Sequence, residues 1–523
     1  MHSNLVAHHS AFRRHRLWLP AGLIVLAIAA IFAVQAREEM DRNFKAWATL
    51  ILVLLALVLN LVWYLTLSRI PWRKRLGGFA VLLVAVGAAV ALLRVDGSVD
   101  GRGLPRLVLR AKKAPPLALV PEVGGGAVSN DPRLARLTDV PQFFGPQRDG
   151  IVRGANLARD WSAPPPKEVW RQPIGIGWAS FSVVEGRAFT QEQRGDEEWV
   201  SCYEALTGRL LWKHARVTRF TEWQGGDGPR ATPTIAGGRV FAIGGTGILD
   251  CLDARTGARI WTHDILKVYQ LDNLMWGVSG SPLVFEEKVV VTGADAAGPT
   301  LLAFHCDDGA PLWRAGSDKA AYASPILTTL AERRVILSFN AATITAHDPG
   351  NGSVLLEHRW AQDKYPKAAQ PTVLGDDRVF VTAGYGMGCA MLKIEAAADG
   401  RLAARELWKG PRLKAQFNSV TEGGGFLYGL DDGLLACVDA ATGERRWKDG
   451  RYGSGQTLMV DDLLIVQAER GYVALVEAKP DGFRELGQFA ALTSKTWNHP
   501  VLAGRYLFVR NDREAACYEL PVR

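Results

Sequence analysis

One eleven-residue string, repeated, limits this chain more than any other feature. CLDARTGARIW at Cys251 to Trp261 recurs as CYEALTGRLLW at Cys202 to Trp212 and as CVDAATGERRW at Cys437 to Trp447. Weaker copies end at Trp313, Leu356, Trp408 and Leu486, and KEVW at Lys167 to Trp170 supplies one more tryptophan. These eight anchors are 39 to 52 residues apart, 45 on average, which is the period of propeller blades. Before most copies stands an apolar pair of segments split by a Gly/Asp turn, such as TPTIAGGRVFAIGG from Thr232 or SPLVFEEKVVVTG from Ser281. Each reads as a β-hairpin, and the D-A-x-T-G string as a second one: Asp253 accepts turn N–H groups and Gly257 supplies the positive φ. Each repeat is then a four-stranded antiparallel sheet, and eight anchors predict an all-β eight-bladed propeller.

The two ends of the repeat region predict how the ring closes. His499 to Arg523 holds the first strands of a repeat but stops before an outer strand, whereas Lys167 to Trp170 is an outer strand with nothing before it. Strand 167–172 therefore joins the C-terminal blade. Trp170, Trp212, Trp261, Trp313, Trp408 and Trp447 read as structural docking residues, because a flat ring between neighbouring sheets buries roughly 150–250 Å².

The N-terminal part is of another kind. Leu17 to Ala36, Ala46 to Leu67 and Leu76 to Leu93 carry no charge and are 20, 22 and 18 residues long, enough for three transmembrane helices across a hydrocarbon core of about 30 Å. Trp18, Trp47, Trp63, Tyr64 and Trp72 lie near their ends, as an interfacial belt does. A cleaved signal peptide is the rival reading of the first run, with Val34-Gln35-Ala36 as a weak cleavage site, but two further spans outweigh it. Arg13, Arg14 and Arg16 before the first span, and Arg69, Arg73, Lys74 and Arg75 between the second and third, put the N-terminus in the cytoplasm. In a bacterium everything after Leu93 is then periplasmic. The division is a membrane anchor at 1–93, a linker at 94–140 marked by Pro115-Pro116 and Gly124-Gly125-Gly126, and a propeller at 141–523.

Charge excludes one class of function. The formal +8 comes from residues 1–113, with 16 Lys and Arg against 5 Asp and Glu, while the remainder carries 45 against 48. The basic excess flanks the apolar runs, so a nucleic-acid partner is not expected. Cys202, Cys251, Cys437 and Cys517 occupy one strand position in four blades, which keeps them apart as small buried residues rather than disulfide partners. The ten histidines lack metal-ligand spacing, and no metal site is expected.

With the motifs in view, the chain resembles the pyrroloquinoline quinone (PQQ) repeat family, whose eight-bladed propellers carry an A-x-D-x-x-T-G-x-x-x-W docking motif. The resemblance covers Pro141 to Arg523 and is closest to BamB-like periplasmic propellers, which share strings similar to PQFFGPQRDG, GDGPRATPT, TAGYGMGCAML and VALVEAKPDGF. It implies a protein-binding or scaffold role in the cell envelope. The same fold includes quinoprotein alcohol and glucose dehydrogenases, so the resemblance also implies an alternative: a membrane-bound dehydrogenase oxidising an alcohol or sugar with PQQ and Ca²⁺. Against that, no two cysteines here are adjacent, as they are beside the quinone in the alcohol dehydrogenases, and the family's calcium ligands and catalytic Asp find no matching positions. No catalytic residue is assigned, and the scaffold reading needs no cofactor.

A ligand of such a ring sits over the central channel, where the innermost strand of each blade begins. The residues just before those strands include Trp178, Arg230, Trp276, Tyr322, Gln370, Asn418, Trp497 and His499. One Arg, several aromatics and amides suit an anionic or planar ligand. The competing expectation is that these groups hydrogen-bond one another.

Overall fold

The computed structural model describes residues 3–111, 127–294, 298–360, 362 and 366–523, with side chains from residue 18 onward. The predicted Gly124-Gly125-Gly126 and Pro115-Pro116 breakers lie outside the described residues. The chain divides into two units, Met1–Pro116 and Leu117–Arg523.

The first unit holds three helices, α1 (Ser3–Gln35), α2 (Arg42–Thr66) and α3 (Trp72–Leu92), with candidate membrane spans of 18, 25 and 21 residues. Two polar side chains in the span of α2 are satisfied by its own backbone. Asn60 Nδ2 donates to Ala56 O at 2.8 Å and Thr66 Oγ1 to Val62 O at 2.6 Å, which removes the cost of an unmet donor in hydrocarbon. Arg75 Nη1 donates to Leu65 O and Thr66 O at 2.9 and 3.3 Å, covering carbonyls that the end of a helix leaves open. Directly after α3, in the stretch read from sequence as linker, Leu93–Ser98 pairs antiparallel with Pro105–Leu109. Its short apolar alternation and the Asp100-Gly101 turn make a hairpin, braced by Arg106 and Asp96 at 2.7 Å.

The second unit is an eight-bladed propeller. Blades 1 to 7 hold strands within 182–217, 234–264, 283–315, 326–359, 372–410, 421–451 and 456–490, in simple sequence order. Blade 8 takes three strands from 501–519 and its outer strand, Lys167–Pro173, from the other end of the unit, paired antiparallel with Glu514–Glu519. Blade 7 has a fifth strand, Ile151–Val152, parallel to its inner strand.

Six of the eight blades are locked to the next through an anchor tryptophan. In the turn of blade 2, Asp253 Oδ1 accepts from Arg255 N, Thr256 N and Thr256 Oγ1 at 3.0, 2.8 and 2.8 Å, and Gly257 adopts φ 72°. The Trp212 ring of blade 1 lies flat on that glycine, and its Nε1 donates to Ala254 O at 3.1 Å. Trp170, Trp261 and Trp408 repeat the arrangement on Gly208, Gly309 and Gly443, donating to Ala205 O, Cys306 O and Ala440 O at 2.8–3.0 Å, and Trp447 donates to Lys479 O at 2.7 Å without a glycine beneath its ring among the described residues. Trp313 covers Gly352 without an acceptor for its Nε1 among the described residues. The apolar clusters accordingly sit between blades, Trp170 for example packing with Tyr203, Leu206 and Phe508. Cys202, Cys251, Cys437 and Cys517 each stand directly across from an anchor tryptophan, and all six cysteines are free, buried thiols.

Candidate functional site

The residue two places before the inner strand of a blade is Ser180, Thr232, Ser281, Ser324, Gln370, Ser419 or His499 in seven of the eight blades. Their side chains link each blade to its neighbour. Thr232 Oγ1 accepts from Ser180 N, Ser281 Oγ from Thr232 N and Ser324 Oγ from Ser281 N, each at 2.9 Å. Gln370 Oε1 accepts from Ser324 N at 2.7 Å, and Ser419 Oγ from Gln370 N at 3.4 Å. The circuit closes through Thr457 Oγ1 to Ser419 O at 3.1 Å, His499 Nε2 to Thr457 O at 3.1 Å and Ser180 Oγ to His499 O at 2.6 Å. A blade cannot shift along the axis without breaking two links of this belt. Gln370 and His499 therefore serve the ring itself, and Asn418, buried beside it, donates to Leu430 O at 3.0 Å.

One level outward, four places before the inner strands, stand Trp178, Arg230, Ser279, Tyr322, Phe417 and Trp497. Trp178 and Trp497 meet with ring centroids 4.9 Å apart, and Phe417 is 5.2 Å from Trp497. Lys495 Nζ lies 4.0 Å from the Trp497 ring centroid and 5.2 Å from that of Trp178, within cation–π range of both. Trp497 Nε1 donates to Glu469 Oε1 at 2.8 Å, fixing the indole. On the facing side Trp276 and Tyr322 pair edge to face at 5.6 Å. Between the two groups lies the loop 222–228. A Cβ on Gly226 would come within 2.7 Å of Trp178 and one on Gly225 within 2.6 Å of Trp276, so only glycines let the backbone pass between the two indoles.

Arg230 is inside this mouth, but its charge is spent. Its guanidinium donates to Gly228 O and Gly226 O, both at 2.6 Å, and lies over the Phe220 ring at 4.7 Å. Burial lowers it to about 10, against the pull of Glu222. Of the eight residues expected from sequence, the structure thus brings Trp178 and Trp497 together, pairs Trp276 with Tyr322, turns Arg230 onto its own loop and places Gln370, Asn418 and His499 deeper. Phe417, Lys495 and Glu469 are part of the mouth that sequence reasoning missed. Counting four residues back from each inner strand would have found Phe417 in place of Asn418.

The channel's other end is plugged by the segment 141–152. Val140 and Val183 exchange backbone bonds at 2.7 and 2.9 Å, and Ile235 N donates to Pro141 O at 2.8 Å. Phe144 packs edge-on to His499 at 5.1 Å. Arg148, 2% exposed, reaches across blades 2 to 4: it donates to Thr234 Oγ1 and to the carbonyls of Ser281, Pro282 and Pro325, while its Nε donates to Gln142 Oε1. All of these are uncharged oxygens, and burial lowers the guanidinium to about 9. Met459 N then donates to Gly150 O at 2.9 Å, and Ile151–Val152 joins blade 7. Between this plug and blades 3 to 6 lies a partly open cavity of about 590 Å³.

A belt-and-docking-tryptophan propeller of this design has a recorded counterpart. A family model described as outer membrane protein assembly factor BamB, a PQQ-repeat family, matches residues 161–268 and 196–449, more than half of the chain. The chain belongs to this family. Within the BamB family it is similar to the outer membrane protein assembly factor BamB of Xanthomonas campestris pv. campestris, with 30% identity over 158 residues. That stretch is 29% of this chain and 37% of the relative's length. In fold it is similar to BamB from Moraxella catarrhalis, at 17% identity and TM-score 0.51, covering 68% of this chain and 98% of that one. It is likewise similar to quinohemoprotein alcohol dehydrogenase from Comamonas testosteroni, at 12% identity and TM-score 0.54, covering 75% and 82%. At these identities the last two show the shared propeller fold and nothing finer.

Proposed function

We propose that this chain is a protein-binding or scaffold module of a bacterial cell envelope, held in the inner membrane by α1 to α3 with its blades in the periplasm. One observation carries the reading. The connections from blade 1 to 2 and from 2 to 3, which touch through Gly225 and Trp276, carry Val268, Met275 and Trp223 at 61, 58 and 44% exposure. Large apolar side chains left exposed on two adjoining connections are what a protein partner covers. The BamB family membership and the basic residues flanking the spans support the same reading.

The quinone alternative has one feature in its favour, Lys495 poised over two indole faces, which suits a planar anion. The donor set for calcium does not fit. Among the described residues no three His, Cys, Asp or Glu side chains gather to hold a metal, and Glu469 at the mouth accepts from Trp497 Nε1 and Ser454 N. We therefore derive no quinone chemistry.

Trp223→Cys tests the reading, because the native thiols are all buried and silent. In spheroplasts a membrane-impermeant maleimide should label Cys at 223, and a benzophenone maleimide there should give discrete cross-links to envelope proteins. Labelling only after membrane lysis, or no cross-link while the purified chain takes up PQQ with Ca²⁺ and reduces dye with alcohols or sugars, would overturn it.

A further inference from the structure

The inner strand of every blade turns one edge to the channel, and the chain itself uses part of that edge as a binding surface. In blades 1 and 2 the middle residue of the strand does so: Val183 bonds to Val140 at 2.7 and 2.9 Å, and Ile235 N to Pro141 O at 2.8 Å. In blade 7 Met459 N and Asp461 N donate to Gly150 O and Val152 O at 2.9 and 3.0 Å. An extended segment can thus lie across the inner strands and bond to one blade after another.

Blades 3 to 6 offer the same position without an occupant from the plug. Val284 stands opposite Val289, Val373 opposite Val379 and Glu422 opposite Leu427, in the hairpin register that sets Val183 opposite Ala188 and Ile235 opposite Val240. Leu327 follows Ser324 by three residues, as Val183 follows Ser180. At this place in a hairpin the N–H and C=O point away from the second strand. All four residues line the cavity of about 590 Å³, together with the apolar Leu283 and Ile326. Strand-edge groups without a partner among the described residues, beside a lining that is apolar at Leu283, Ile326 and Val420 and polar at Gln142, Gln147 and Arg153, are a template for another extended chain.

We propose that this arc binds an extended, uncharged polypeptide segment of a partner protein, laid across blades 3 to 6 as Val140 and Pro141 are laid across blades 1 and 2. The inference rests on the protein-binding reading and names how a partner is recognised: by its backbone first, with apolar side chains of varied sequence accepted. Continuity is the argument, since the arc carries on the circle of inner-strand edges that the plug already covers in part.

The test uses the full chain in detergent and a fluorescein-labelled ten-residue peptide of alternating valine and threonine, read by anisotropy. Saturable binding is expected. Gln147→Trp, an exposed plug position that lines the cavity, should weaken it at least tenfold by filling the space. Leu327→Pro, which deletes one channel-facing donor, should weaken it at least threefold. The same peptide N-methylated at alternate residues should not bind, a result that depends on no variant's folding. Equal binding to Gln147→Trp, equal binding of the methylated peptide, or no binding of the parent peptide overturns the proposal. In each of those cases the Trp223→Cys cross-links decide separately whether the protein-binding reading stands.

Discussion

His499 is enclosed by Phe143, Phe144 and the Thr457 carbonyl, and that burial lowers its imidazole to about 4. The unfolded chain binds the proton below a pH of about 6.5. Between about 6.5 and about 4 the unfolded state therefore holds more protons than the folded one, and stability falls as pH falls. The full effect of this one residue is about 3 kcal/mol. His499→Gln, whose amide can still donate to Thr457 O, should flatten that part of the curve of urea midpoint against pH; an unchanged slope would show that the imidazole is not excluded from water. Arg148, which burial lowers to about 9, keeps its charge throughout that range. Its charge is held by oriented carbonyl and hydroxyl oxygens, which supply the solvation that a carboxylate partner supplies elsewhere.

At the scale of elements, the turn that receives Trp212 asks for glycine twice over. Gly257 has φ 72°, and a Cβ there would sit 2.5 Å from Trp212 Cε3, whereas Gly424, at φ 61°, has open space around it. Both positions cost about 1 kcal/mol when replaced by alanine, from the backbone alone. Gly257→Ala must also lift the docked indole, so its total should exceed that of Gly424→Ala by about 1–3 kcal/mol in chemical denaturation, with the Trp212 fluorescence environment altered only in the first. This local economy is why the blades were legible in the sequence: Asp, Gly and Trp at fixed offsets encode turn, left-handed backbone and docking surface within eleven residues. The mouth was less legible. Trp178 and Trp497 stand four before their strands, but Asn418 was read where Phe417 belongs, because a one-residue slip reverses which residues face the axis. Arg230 is held by carbonyls of its own loop, a fold-back that spacing does not announce. Arg148 is not legible in the sequence, since three of its partners are backbone carbonyls more than 130 residues away. The hairpin Leu93–Ser98 with Pro105–Leu109 was missed because its strands are short and its flanks rich in breakers.

For the whole propeller, the decisive pairing is Lys167–Pro173 with Glu514–Glu519, which puts Trp170 across from Cys517 and onto the turn of blade 1. Arg171 reinforces it from the same strand through Glu514 at 2.7 Å and Tyr518 OH at 2.6 Å. A chain ending before Glu514 leaves the Lys167–Pro173 strand without a partner and opens the belt between His499 and Ser180. Such a truncation should lose cooperative thermal unfolding and be cut by protease throughout blades 1 and 8; retention of a single sharp transition would show that the other seven blades hold the circle unaided. That joint also sets a timetable for manufacture. The Lys167–Pro173 strand is made some 340 residues before its mate, so an emerging polypeptide holds an incomplete circle, apolar flanks bare, until Glu514–Glu519 has been made. Blades 1 to 7 can zip up as they appear, yet the circle stays unfastened until that strand arrives.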